Sequence, residues 1–135
     1  MIDTKIAIVV REDLAMWQKL NVTAFLATGL SGIVPDLLGA PYLDKDGNRY
    51  APLAVQPMIV LAAEGEKLKT IHSRALARGA DLALYTEEMF ATGNDQANRA
   101  VVAEYAAQDL NIVGLALRAQ RKLADKITKG ARMHP

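Results

Sequence analysis

Two kinds of hydrophobic pattern alternate along the chain, and their order indicates the fold class. Short, continuous apolar runs are typical of strands that are buried on both faces of a sheet. Such runs occupy residues 5–10, 58–63, 81–85 and 111–117. Between and after them, apolar residues recur at every third or fourth position, as on one side of an α-helix. These helix-like segments lie at 14–33, 64–79, 94–107 and 119–131.

This order predicts one α/β domain over residues 1–135. We expect a three-layer sandwich, in which helices cover both faces of a four-stranded, mostly parallel or mixed sheet. The side of the first helix predicted to pack on the sheet carries Leu20, Ala24, Ala27 and Leu30. A small hairpin is predicted from Tyr42 to Tyr50, because Asp46-Gly47 is a typical turn between two strand-like segments.

The composition excludes several kinds of site. The chain of 135 residues has no cysteine, which rules out disulfides and cysteine-ligated metals. Its two histidines, His72 and His134, are far apart in sequence, so no histidine-rich metal site is predicted. The first strand is followed by Arg11 to Leu14 instead of a glycine-rich loop, which argues against Rossmann dinucleotide binding and against a P-loop. We therefore expect neither a metal nor a cofactor.

Hydropathy predicts a cytoplasmic protein with no membrane partner. No apolar run approaches the length of a membrane span, and the N-terminus lacks the long apolar stretch of a signal peptide. The formal net charge of +1 is too small to attract nucleic acid over the whole surface.

Positive charge is nevertheless concentrated near the C-terminus. One side of the predicted last helix carries Arg121, Lys122, Lys126, Lys129 and Arg132. Such a stripe can neutralise the phosphates of an RNA, but with so small a net charge the pattern is more typical of a solvated helix face. An RNA-linked substrate is therefore one of two interpretations.

The first strand ends in charged residues, at a position that often lines the binding site of an α/β protein. Arg11, Glu12 and Asp13 follow the strand, and Lys19 lies further along the helix. A carboxylate and an ammonium group held together there could polarise a water molecule or a substrate carbonyl. Alternatively, Asp13 caps the helix and Lys19 is a solvated surface residue.

The segment KIAIVVREDLAMWQKLNVTAFLATGL, residues 5–30, resembles the N-terminal motif of the archaeal and eukaryotic type of peptidyl-tRNA hydrolase. That motif joins a strand to Arg-x-Asp-Leu-x-Met and to a helix start with an essential lysine. The matching residues are Arg11, Asp13, Leu14 and Met16. Within it, WQKLNV resembles more closely a bacterial branch of this superfamily whose members have no assigned function.

The resemblance implies a hydrolytic site. The residues that it marks as catalytic are Lys19, Asp13, Glu87, Glu88 and Thr92. Lys19 would stabilise the developing oxyanion, and an acidic partner would orient water. Because Trp17 and Gln18 stand where the family has glycines, the prediction is hydrolysis of an ester or amide, and not specifically of peptidyl-tRNA.

A non-enzymatic binding module is the alternative prediction. Trp17, the single tryptophan, either anchors the core or presents a groove to a small ligand or a second subunit. The predicted binding residues are Arg11, Trp17 and Asn21. The abundance of alanine and leucine on the predicted helices is compatible with a homodimer.

Overall fold

The computed structural model describes residues 3–135. In that range the elements follow in the order β1 (Thr4–Arg11), α1 (Met16–Ile33), β2 (Tyr42–Leu43), β3 (Arg49–Tyr50), β4 (Met58–Ala63), α2 (Gly65–Ala77), β5 (Leu82–Thr86), α3 (Asp95–Ala103), β6 (Ile112–Gln120), α4 (Arg121–Thr128) and β7 (Arg132–Met133). Two short 3₁₀ turns lie at Glu87–Ala91 and Ala107–Asp109. The predicted α/β class is confirmed.

Five strands form one mixed sheet in the order β5-β6-β1-β4-β7. β1 and β4 are parallel, whereas β6 runs antiparallel to β1 and β5, and β7 runs antiparallel to β4. The carboxyl ends of β1, β4 and β5 therefore meet the amino ends of β6 and β7 at one end of the sheet. We call this the site end, because the charged residues after β1 and β5 lie there. β2 and β3 form a separate two-stranded sheet, which is the predicted hairpin.

The predicted number of four strands in the central sheet is wrong. The fifth strand is β7, where Arg132 pairs with Ala62 and Met133 with Leu61. The sequence predicts a helix up to Ala131, but α4 ends at Thr128 and Gly130 has a φ of 101°. A turn at a glycine with positive φ reverses the chain, and two residues are too few to give a strand pattern of their own.

Both faces of β1 are buried, as its continuous apolar run predicts. Ile6, Ile8 and Val10 lie in one buried cluster with α1, whereas Ala7 and Val9 lie in a second cluster with α2 and α4. The residues that α1 contributes to the first cluster as fully buried side chains are Val22, Leu26 and Leu30. α1 therefore packs on one face of β1, and α2 and α4 pack on the other.

α1 lies close to the sheet because glycines stand at two points of contact. A Cβ on Gly114 of β6 would lie 2.6 Å from Val22 Cγ1 and 3.3 Å from the carbonyl oxygen of Val9. A Cβ on Gly29 of α1 would lie 2.8 Å from the Cβ of Ala83. Protein interiors are too closely packed to absorb such overlaps, so a larger residue at either position would move α1 away from the sheet.

The side of α1 that faces the sheet differs from the prediction. Leu20 is 65% exposed and Ala24 is also exposed, whereas Val22 and Leu26 are buried. The buried side is therefore turned relative to the predicted one, although Leu30 belongs to both. α1 is apolar on almost every side, so its periodicity could not decide between them.

The basic residues near the C-terminus do not form one continuous helical stripe. Lys129 lies beyond α4, and Arg132 lies in β7, where its Nη1 is 2.5 Å from Glu12 Oε2. Arg121 pairs with Asp3 at 3.1 Å. Two of the five predicted basic residues are thus engaged by carboxylates, which weakens the RNA interpretation.

Candidate functional site

The charged residues at the site end form a network around Arg11. Arg11 is the last residue of β1, and its Nε donates to Asp13 Oδ1 at 2.6 Å while Nη2 donates to Glu87 Oε1 at 3.2 Å. Burial lowers the pKa of Arg11, but the hydrogen bonds to the two carboxylates outweigh it and raise the pKa above its ordinary value. Arg11 therefore holds the loops after β1 and β5 together as a permanent cation.

One interpretation of the sequence was that Asp13 caps α1, but the structure shows that it does not. The N-cap is Ala15, whose N–H donates to Gln18 Oε1 at 3.0 Å, and the Asp13 carboxylate is turned toward Arg11. Gln18 is therefore the side chain that satisfies a backbone donor at this helix start.

Glu88 is held at the site end by Asn111, which immediately precedes β6. Asn111 Nδ2 donates to Glu88 Oε2 at 2.6 Å, and this hydrogen bond is the main cause of the lowered pKa of Glu88. Glu88 therefore stays ionised at neutral pH and is a fixed acceptor, unsuited to deliver a proton.

Beside this network lies a depression that we call the aromatic hollow, bounded by α1, the end of β5, the 3₁₀ turn after it and the start of α3. Its aromatic wall is continuous: ring centroids are 5.8 Å apart for Trp17 and Phe90, 5.2 Å for Phe90 and Tyr85, and 5.8 Å for Tyr85 and Phe25. Four of the seven aromatic residues of the chain are thus gathered at one place. The hollow has a volume of about 390 Å³ and adjoins a second depression of about 420 Å³ between α1, β5 and α3.

Neutral polar groups stand among the rings. Asn21 Nδ2 lies 3.5 Å from the hydroxyl oxygen of Tyr85, and the Thr92 hydroxyl lies 3.0 Å from the carbonyl oxygen of Met89 and also contacts the Asn98 side chain. Burial raises the pKa of Tyr85, so its hydroxyl remains protonated at neutral pH. The hollow therefore offers amide and hydroxyl groups that can both donate and accept hydrogen bonds.

The lining of the aromatic hollow contains one acidic and no basic side chain among the described residues. Asp95 is the charged residue of the lining, and it is paired with Arg99 of the same helix. Within the described part of the chain, no Lys, Arg or His side chain lines the aromatic hollow. Arg99 lines the adjoining depression, but it is already paired with Asp95, so an anionic ligand would lose its hydration in the hollow without gaining an unpaired cationic partner from the lining.

The structure brings together only part of the predicted site. Trp17, Asn21 and Thr92 line the aromatic hollow, while Arg11, Asp13 and Glu87 form the adjoining charged network. Trp17 is 61% exposed, so the interpretation of this residue as a core anchor is wrong.

Lys19 neither lines the aromatic hollow nor forms an ion pair with the charged network in the described residues. Two residues along a helix turn the side chain by about 200°, so Lys19 lies on the opposite flank of α1 from Trp17 and Asn21. Among residues 3–135, no carboxylate oxygen lies within 4.0 Å of its Nζ. A direct ion pair between Lys19 and Glu87 or Glu88 is therefore not formed.

Several lining residues were not predicted from sequence. Phe25 could have been found, because Trp17, Asn21 and Phe25 follow each other at intervals of four along one side of α1. Phe90 and Asn98 carry no such signal, because only the fold brings the segment after β5 next to α1.

Residues 3–135 contain neither a cluster of metal-ligating side chains nor a membrane-spanning helix. No three acidic or histidine side chains among them lie close enough together to hold a metal ion. Across the same range, no helix has both the length and the apolar character needed to cross a bilayer.

Comparisons with known proteins identify relatives of the chain. Residues 4–135 match the profile of the family described as "Protein of unknown function (DUF2000)". A solved structure of a protein of unknown function from Agrobacterium tumefaciens strain C58 is 52% identical, with 100% of both chains covered and a TM-score of 0.97. No curated protein matches the chain.

These matches correct the resemblance drawn from residues 5–30. Neither points to the peptidyl-tRNA hydrolases or to a bacterial branch of that superfamily, so that assignment is wrong. The motif is short, and local structure accounts for much of it: Arg11 and Asp13 pair with each other, and Leu14 is buried. The match over residues 4–135 carries far more information, and the chain belongs to the DUF2000 family.

Proposed function

We propose that the protein binds a small molecule with a flat, apolar body and a few uncharged or cationic polar groups, and that the aromatic hollow is the binding site. The observation that carries this proposal is the continuous wall of Trp17, Phe90, Tyr85 and Phe25 beside uncharged hydrogen-bonding groups. Concave apolar sites with a few placed polar groups are typical of small-molecule binding.

The chemistry of the lining favours binding over catalysis. The hydroxyl of Thr92 is occupied by Met89 and Asn98, and the hydroxyl of Tyr85 is held protonated. Nucleophilic catalysis needs a hydroxyl or thiol in contact with a base, and the described lining contains no histidine or lysine to act as one. Aromatic rings and side-chain amides, in contrast, are effective binding groups as they stand.

The first test is a titration of the native protein with small aromatic amides, amines and carboxylates, of which benzamide and benzoate are the simplest matched pair. We expect benzamide to change the emission of Trp17 saturably and to shift the NMR signals of Asn21, Thr92 and Asn98. Benzoate should bind at least about tenfold more weakly, because its charge would be desolvated without a cationic partner. Preferred binding of the carboxylates, or shifts that leave these three residues unmoved, would contradict the proposed site.

Hydrolysis of an ester or amide stays a prediction, and Lys19 provides its test. If Lys19 is catalytic, the Lys19→Ala protein should lose turnover of activated ester substrates while its thermal unfolding is unchanged. Because Lys19 lies on the far flank of α1 from the hollow, the same variant should bind benzamide like the native protein. Equal turnover in the two proteins would remove Lys19 from any mechanism.

A homodimer is the second part of the proposal. Ten large apolar side chains with exposures of 52–68% support it: Met16, Trp17, Leu20, Phe25, Leu38, Tyr42, Leu43, Tyr50, Leu53 and Val55. A single chain rarely leaves so much apolar surface in water.

The cytoplasmic location predicted from sequence stays a prediction.

A further inference from the structure

α1 is unusually apolar for a helix that lies at the surface. Lys19 is the one charged residue among the 18 from Met16 to Ile33. Apart from Trp17 and Phe25, which line the aromatic hollow, its outer face carries Met16 and Leu20, each of them 65% exposed. A helix that is apolar on all sides is normally buried on all sides, so the outer face of α1 lacks a cover in the single chain.

The segment from Leu38 to Val55, which we call the arm, also exposes apolar side chains that nothing covers in the single chain. Its strands β2 and β3 pair with each other and with no other described strand. Its base is joined by hydrogen bonds from Gly39 N to Leu53 O at 3.1 Å and from Val55 N to Leu37 O at 2.8 Å. The exposed apolar residues of the arm are Leu38, Tyr42, Leu43, Tyr50, Leu53 and Val55. A two-stranded hairpin without further packing is at best marginally stable in water.

The tip of the arm is nevertheless well defined. The Asp44 carboxylate accepts hydrogen bonds from Asp46 N and Asn48 N, both at 2.9 Å, from Asn48 Nδ2 at 2.9 Å and from the Tyr50 hydroxyl at 2.7 Å. The bonds from the Asn48 and Tyr50 side chains are the largest causes that lower the pKa of Asp44 to about 2. A turn built in this way fixes the tip of the arm before any partner binds, which lowers the entropic cost of binding.

The arm does not cover the outer face of α1 in its own chain. It leaves the body after the carboxyl end of α1, whereas Met16 and Leu20 lie in the amino-terminal half of that helix. Trp17 and Ile33 are separated by about 24 Å along the helix axis. Both surfaces are therefore free in one chain and are similar in chemistry.

We infer that the arm of each subunit covers the outer face of α1 in a second copy of this chain, in a reciprocal two-fold arrangement. This inference rests on the homodimer proposed above and names its surfaces. The exposed apolar side chains of the arm and of α1 amount to on the order of 1,000 Å² per chain, and a stable interface needs about 800 Å² per partner. A second copy fits better than an unrelated partner, because one chain carries both surfaces and a two-fold axis satisfies both at once.

The test uses exposed positions, so the variants should fold. In Leu20→Asp the outer face of α1 carries a charge, in Leu43→Asp the arm does, and Leu76→Asp is the control, since Leu76 is 50% exposed on α2, outside both surfaces. We expect the native protein and Leu76→Asp to be dimers by sedimentation equilibrium. Each of the other two variants should dissociate with a constant raised roughly 100-fold or more. Circular dichroism and thermal unfolding report whether each variant is folded.

Mixing the two monomeric variants tests the reciprocal arrangement. A mixed dimer of Leu20→Asp with Leu43→Asp keeps one arm and one α1 face intact, and these two surfaces face each other only if the arm binds α1. We therefore expect mixing to restore association in part. If arm met arm and α1 met α1, every contact would still carry a charge and no association would return, which would overturn the inference.

Two other outcomes separate this inference from the proposed homodimer. We expect a specific dimer to have a dissociation constant below about 100 µM. A native protein that is still monomeric at about that concentration would overturn both the homodimer and the surfaces assigned to it. A native dimer that persists in Leu43→Asp and in Leu20→Asp would leave the homodimer standing and overturn the surfaces assigned to it.

Discussion

Replacing Leu26 with alanine is expected to lower the free energy of unfolding by about 3 kcal/mol. Leu26 is 1% exposed and packs between β6 and β5 in the buried cluster of α1. Gly114 brings β6 so close that its missing Cβ would lie 3.0 Å from Leu26 Cδ1. The tight surroundings leave little room for collapse, so the cavity should persist and its full cost should appear in a urea or thermal unfolding curve.

Leu20→Ala is the matched control, because the same truncation occurs on the same helix at a side chain that is 65% exposed. Measured at a concentration low enough for monomers, it should change the free energy of unfolding by less than about 0.5 kcal/mol. If the side predicted from sequence faced the sheet, Leu20 would be buried, and Leu20→Ala would lower the free energy of unfolding more than Leu26→Ala. A larger loss in Leu20→Ala than in Leu26→Ala would therefore show that α1 is rotated relative to the structure.

The fold was predictable where one pattern excluded the others. The run Ile6 to Val10 is apolar at every position, short and rich in β-branched residues, which favours a central strand buried on both faces. The orientation of α1 was not predictable, because an almost uncharged helix gives no contrast between its sides. β7 was not predicted because a strand of two residues is too short to show an alternating pattern. Gly130 was not recognised as a turn because the sequence does not fix the last residue of α4.

The sequence indicated which segment contributes to the candidate site, but not which side chains of that segment meet in the folded protein. Trp17 and Asn21 were predicted as binding residues near the end of β1, and both line the aromatic hollow. Lys19 comes from the same segment, yet the helical turn of about 200° places it on the other flank, so closeness in sequence does not imply a shared site. Phe90 and Asn98 reach the hollow only because β5 ends beside α1, which no local pattern encodes.

Replacing Phe90 with alanine is expected to weaken binding of the tightest aromatic ligand in the hollow by at least about tenfold, or about 1.4 kcal/mol. Phe90 is the centre of the aromatic wall, since it contacts Trp17 at 5.8 Å and Tyr85 at 5.2 Å between ring centroids. Its removal opens the wall and leaves Trp17 without its ring partner, so a flat ligand would lose stacking area on one side. Titration followed by NMR measures the affinity, and thermal unfolding shows whether the 3₁₀ turn has been disturbed.

A second pair of variants separates the polar contribution from packing. Tyr85→Phe keeps the ring and removes the hydroxyl that lies beside Asn21, whereas Tyr105→Phe makes the same change near Glu88, outside the hollow. If the ligand is oriented by a hydrogen bond to Tyr85, its affinity should fall severalfold in Tyr85→Phe and remain unchanged in Tyr105→Phe. Equal losses in both would indicate a general effect on the fold. Unchanged binding in Phe90→Ala and Tyr85→Phe alike would mean that the ligand occupies another part of the molecule, because these two side chains form the apolar and the polar half of the same wall.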